Sequence, residues 1–140
     1  IYEEPALSVV VSEVLQAITS HRSGGHPLTL EAGIVRVADA LDMAEGRSRI
    51  PFERGRVSIH SLSAAAIDSV SIAAGEQRPI AIEITMNNSA GVYQVDELLA
   101  AKLRGSGLEP YVEVTARVDS DAEKRLLGVY RIGEEEEKEE

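Results

Sequence analysis

The chain has 140 residues, no cysteine and a formal charge of −10. Its length fits one domain or two small ones, and the lack of cysteine excludes disulfides, thiolate metal sites and cysteine nucleophiles. With 44% hydrophobic and 27% charged residues it has a globular composition, the acidic balance argues against non-specific nucleic-acid binding, and no run reaches the roughly 18 apolar residues of a membrane span.

The first third reads as helical. In PALSVVVSEVLQAITSH, Pro5 suits a first turn, and Leu7, Val10, Val11, Val14, Leu15 and Ile18 follow helical spacing. Gly24, Gly25 and Pro27 then break the pattern. A second helix is predicted from the N-cap Thr29 to about Ala44, with Ile34, Val37, Ala38 and Leu41 on one face and Leu30 and Val35 widening it. A helix this apolar needs cover on most sides. Two helices do not supply it, so a partner helix is expected from outside this chain.

From Gly46 to Arg56 the sequence is polar, rich in Arg and punctuated by Pro51 and Gly55, and residues 51–56 read as a linker. A first strand is predicted at Val57, Ile59 and Ser61, a short second one at Val70 and Ile72, and a third at Ile80, Ile82, Ile84 and Met86. Asn88 or Ser89 caps a helix striped by Val92, Val95, Leu99 and Leu103 and ended by Gly105, and Val112 to Val118 forms the last strand. The fold class is therefore α+β: a helical segment over 1–50, then a small antiparallel β-β-β-α-β module over 57–130. Residues 131–140 close the chain as an acidic tail in which EEEEKEE alone carries net −5, and it reads as disordered.

Candidate chemistry centres on Asp39 and Asp42. At 100° per residue, Asp42 lies about 80° and Asp39 about 140° from Ile34, so both edge the apolar face. Either they pair with Arg36, Arg47 or Arg49, or one of them ligates a cation together with a histidine. His21 and His26 flank the glycines before this helix. His60 alternates with Val57, Ile59 and Ser61 and reads as a solvent-facing strand residue. Arg47, Arg49, Arg54 and Arg56 either bind phosphate bidentately or pair with Glu45 and Glu53 in a solvated linker.

The segment HRSGGHPLTLEAGIVRVADALD, His21 to Asp42, resembles the closing part of an HD-superfamily metal-dependent phosphohydrolase domain. In that family a helix ends in the pattern apolar-Ala-Asp-x-apolar, matched here by Val37-Ala38-Asp39-Ala40-Leu41, so the resemblance makes Asp39 a metal ligand. His21, ahead of Gly24, Gly25 and Pro27, resembles an additional histidine ligand of some members. GRSRIPFERG followed by an α+β module is similar to an archaeal and bacterial subgroup whose substrates are largely unassigned. The His-Asp doublet that names the family does not occur in this sequence, so the likeness is to the second half of such a domain.

A cytoplasmic location is the default expected from the composition, and the resemblance implies an enzyme in which a divalent metal (Mn, Mg, Fe, Zn or Ni) activates water for attack on a nucleotide or other phosphoester. Arg47 and Arg49 would contact phosphate. The partners implied are a phosphorylated small molecule and either a second copy or a chain supplying the missing helices, with no membrane association. The competing expectation is a non-catalytic α+β module that binds a small effector or dimerises.

Overall fold

The computed structural model describes residues 3–22, 24–43, 59–119 and 129–132. Arg47, Arg49, the linker 51–56 and the tail from 133 onward lie outside them.

Helix α1 spans Ala6–Ser20. It packs mainly on α2, Leu30–Leu41. Thr29 caps α2 as its sequence suggests, its side chain accepting the Ala32 N–H at 3.3 Å. One stripe of α2, Val37 and Ala40, continues through Met43 into the main hydrophobic cluster. Other apolar residues of α2 do not: Leu30, Ile34 and Val35 are exposed, as are Leu7, Val11, Val14, Leu15 and Ile18 of α1. Ser20 is the single buried residue of α1. The shortage of helical cover expected from the pattern is thus visible as an apolar surface across both helices.

Helix α3, Ile59–Ala65, stands where the first strand was expected. Three alternating residues, Val57, Ile59 and Ser61, are too short a sample to fix a period. The following Ala64, Ala65 and Ala66 favour helix over strand. His60 therefore lies on a helix. Buried Ser63 of α3 accepts a hydrogen bond from the buried Gln94 side chain at 2.7 Å, which seats α3 on the next helix.

Strands β1 (Ile67–Ala74), β2 (Ile80–Met86), β3 (Val112–Val118) and β4 (Val129–Arg131) form one sheet in the order β1-β2-β3-β4. The α+β class holds, but the sheet is mixed: β1–β2 and β3–β4 are antiparallel, whereas β2–β3 is parallel. A helix between β2 and β3 returns the chain to the end where β2 began. Adjacent strands joined in this way run in the same direction. That helix, α4 (89–103), is composite: a 3₁₀ turn Ser89–Gly91, a π-helical segment Gln94–Ala100 and an α-turn Ala101–Leu103. Gly105 ends it in the left-handed region at φ 74°.

The core is the layer between α2, α4 and one sheet face. Ile82, Ile84 and Met86 of β2 and Val112, Val114, Ala116 and Val118 of β3 meet Val95, Leu99 and Leu103 of α4. The opposite face, with Ser71, Glu83, Thr115, Arg117 and Arg131, is polar. Tyr130 of β4 packs against the core, and its hydroxyl donates to Asp96 of α4 at 3.0 Å.

Two close approaches yield predictions. A Cβ on Gly33 of α2 would lie 2.0 Å from the Ser106 carbonyl oxygen. Gly33→Ala must push α2 away from the turn after α4, so a loss of about 1–3 kcal/mol in urea-unfolding stability is expected. Burial, followed by the hydrogen bond and charge of Asp96, raises the Tyr130 pKa above its ordinary value. The proton is held more tightly in the folded state, so its contribution is full below pH of about 10 and is lost as pH rises through the native pKa. Tyr130→Phe should lower stability by about 0.5–1.5 kcal/mol at neutral pH and flatten the alkaline decline in unfolding titrations.

Candidate functional site

Arg36 is buried in the middle of α2. A guanidinium there must replace its hydration with fixed acceptors, because an uncompensated buried charge is strongly unfavourable. The acceptors are backbone carbonyls. Nη1 faces Ser20 O at 3.1 Å, Arg22 O at 2.6 Å and Gly25 O at 2.7 Å, while Nε donates to Lys102 O at 3.1 Å. Nη2 reaches Ala101 O at 3.5 Å. These oxygens lie at or just beyond the C-terminal ends of α1 and α4, where helix carbonyls lack intrahelical partners and the helix dipole is negative. One cation thus closes two helix ends and pins the loop between α1 and α2.

The loop folds back over α1 to present those carbonyls. Gly25 N donates to Arg22 O at 2.9 Å, and a Cβ on Gly25 would stand 2.5–2.7 Å from the Ser20 backbone. Only glycine fits there, whereas Gly24 is open on all sides. Gln16 Nε2 holds the far side of the loop through His26 O at 3.2 Å. His26 itself is exposed.

Both predicted ligands flank this centre. His21 is the C-cap of α1, between the Ser20 and Arg22 carbonyls that Arg36 holds. Its Nδ1 lies 2.7 Å from Ile18 O. A carbonyl only accepts, so Nδ1 carries the proton, and Nε2 of the neutral ring is left as the lone-pair nitrogen. That is the arrangement in which a second-shell carbonyl orients a ligating imidazole. Asp39 is three residues beyond Arg36, on the neighbouring surface of the same helix. Its Oδ2 forms an ion pair with Lys102 Nζ from the last turn of α4. The Asp39 side chain is 33% exposed and that of Lys102 10% exposed. Asp42 caps the C-terminal end of α2 and is exposed.

Lys102 was not singled out by sequence reasoning. Its partner lies 63 residues away, beyond any spacing rule. The signal for Arg36 was present: a lone cation in the apolar run Leu28 to Ala44 needs acceptors. Among the described residues, no group of three or more His, Asp and Glu could hold a metal ion. Asp39 and His21 are therefore at most two ligands, fewer than a divalent centre requires.

A second feature is a shallow cavity of about 400 Å³ on the polar sheet face, between the β1–β2 hairpin and β4. Arg78, Glu83, Glu113, Thr115, Arg117 and Arg131 contribute its polar lining. Two of these side chains also hold the hairpin. Glu113 accepts the N–H groups of Glu76 at 2.9 Å and Gln77 at 3.3 Å, and Arg78 donates to Val112 O at 2.7 Å.

The chain is 46% identical over 120 residues to an uncharacterized protein, MJ1020, of Methanocaldococcus jannaschii. The match covers 86% of this chain and 46% of that protein, so the chain spans about half the length of the curated relative. No family model and no solved structure matches it. Among the described residues, no helix is long and apolar enough to cross a membrane.

Replacing the buried cation tests the centre. Arg36→Met should cost at least about 3 kcal/mol in urea-unfolding stability, since several charge-assisted bonds to otherwise orphaned carbonyls are lost. Arg36→Lys should recover little of it, because one ammonium does not span two helix ends.

Proposed function

We propose that this chain is the C-terminal part of an HD-superfamily metal-dependent phosphohydrolase acting on a nucleotide or other phosphoester, with Asp39 and His21 as two of its metal ligands. The observation that supports this reading is the Arg36 centre. The side chain that holds the carbonyls on either side of His21 sits one turn before Asp39 on the same helix, so the two candidate ligands lie on either side of one buried centre. His21 Nδ1 bonded to Ile18 O leaves Nε2 for coordination.

The described residues do not complete a metal centre, so the remaining ligands, the family's histidines and His-Asp doublet, would come from outside this sequence. When bound, the metal would supply activated water. This chain's part is to hold two ligands in place, with Arg47 and Arg49 as the proposed phosphate contacts and with a divalent ion, Mn, Mg, Fe, Zn or Ni, as the cofactor. The exposed apolar surface of α1 and α2 is where the helices bearing the other ligands would pack, and a cytoplasmic location fits this role.

A second reading rests on the sheet-face cavity. A depression of about 400 Å³ lined by Arg78, Arg117, Arg131, Glu83 and Glu113 favours a module that binds a small charged effector without catalysis.

The two are separated by metal analysis and phosphodiesterase and nucleotidase assays on the full-length polypeptide. Asp39→Ala is expected to lower metal content and reduce hydrolysis at least about 100-fold while the fold persists by circular dichroism. Unchanged metal and unchanged activity would sink the assignment.

A further inference from the structure

Strand β1 stands at one end of the strand order, and six of its eight residues are exposed. The phase of its ladder is set by Gly75 N–H donating to Pro79 O at 3.2 Å, one step beyond the Ala74–Ile80 pair. Hydrogen-bonded and non-hydrogen-bonded pairs alternate along an antiparallel ladder. Ser69, Ser71 and Ala73 therefore turn their N–H and C=O groups toward β2. Val70, Ile72 and Ala74 turn theirs outward. Natural sheets protect such an edge with Lys, Pro or an inward charge, and Ser69-Val70-Ser71-Ile72-Ala73-Ala74 has none of them. Asp68 lies at the irregularity between Ile67 and Ser69 that ends the regular stretch.

The side chains make the same point. Ile72 pairs with core residue Ile82 and points to the helix-covered face, yet it is 64% exposed. Beyond the buried Ile67, the helical layer leaves this edge uncovered. The stretch Ser69 to Ala73 also has the same pattern in either direction: small, β-branched, Ser71, β-branched, small. An antiparallel neighbour that matches it is another copy of itself.

We propose that two copies of this chain pair β1 with β1 in antiparallel fashion about a two-fold axis through Ser71, joining two four-stranded sheets into one. Val70 of each copy then faces Ile72 of the other. Both residues carry outward backbone groups, so the two pairs exchange four N–H···O=C bonds. Each exposed Ile72 gains a β-branched partner on the helix-covered face. Ser71 meets its own counterpart on the polar face in a non-hydrogen-bonded pair, the closer kind, with a Cα separation of about 4.5 Å. Such an interface is isologous and closes as a dimer. It is independent of the phosphohydrolase reading.

The chain has no cysteine, so the register can be tested with single thiols. Ser71→Cys places two sulfurs on the axis within disulfide reach. Ser69→Cys leaves them about 13 Å apart, four residues out of register. On mild oxidation, Ser71→Cys is expected to give a covalent dimer on non-reducing gels and Ser69→Cys to stay largely monomeric. In sedimentation equilibrium, Ile72→Lys should weaken the dimer about tenfold or more with an unchanged circular dichroism spectrum, since Ile72 is already exposed. A monomer at tens of micromolar would overturn the proposal. So would a dimer that Ile72→Lys leaves intact, or cross-linking of Ser71→Cys no faster than that of Ser69→Cys.

Discussion

The arrangement of the helices depends on one buried guanidinium. Arg36 has given up water for carbonyl oxygens at the ends of α1 and α4 and in the loop between α1 and α2. The exchange is favourable because those oxygens are the groups that helix ends leave unbonded, and the helix dipoles make their surroundings negative. The backbone is shaped to permit it. Gly25 lets the loop close onto Ser20, and Gly33 lets α2 approach the Ser106 carbonyl closely enough for Arg36 to reach the end of α4. Two glycines far apart in role thus serve the same cation.

The sheet follows from the placement of α4. A helix inserted between β2 and β3 makes those strands parallel and covers one face from β2 to β4. The layer reaches β4 through Tyr130 and buries Ile67 at the start of β1 but does not cover the rest of that strand, which leaves Val70 half-buried and Ile72 exposed. The polar face carries the cavity lined by Arg78, Arg117 and Arg131. Among the described residues the sheet is therefore asymmetric, with a short edge at β4 tethered through Tyr130 and a long, mostly exposed edge at β1.

How much of this was legible depended on the range of the interaction. The alternations Ile80 to Met86 and Val112 to Val118, the stripe Val95-Leu99-Leu103 and the stop at Gly105 are local patterns, and each gave the right element. The segment at Ile59 failed because three alternating residues cannot outweigh a run of alanines that favours helix. Strand β4, three residues long, is too brief to show a period. An all-antiparallel sheet was expected because strand direction depends on which strands become neighbours, and periodicity holds no such information. At the candidate site Asp39 is one-third exposed beside the buried stripe of α2, but that stripe runs through Ala32, Arg36 and Ala40 and not through Ile34, on which the wheel was centred and which is exposed. The cation that meets it, Lys102, is set by packing between α2 and α4 and has no local signature.

The pair of Asp39 with Lys102 bears directly on what α2 is for. Lys102 Nζ pairs with Asp39 Oδ2, and an ammonium would repel a divalent cation held by the same carboxylate. If Asp39 ligates a metal as proposed, the metal would compete with the α2–α4 ion pair and would have to offset its loss. The partial exposure of Asp39 makes that exchange feasible, because solvent weakens the ion pair while ligands from other helices strengthen the metal's hold. The bonds from Arg36 to the Ser20, Arg22, Gly25 and Lys102 carbonyls do not involve the Asp39 carboxylate. Under the proposed reading Arg36 would be the permanent element of the site, and Lys102 would hold the carboxylate in position until further ligands arrived.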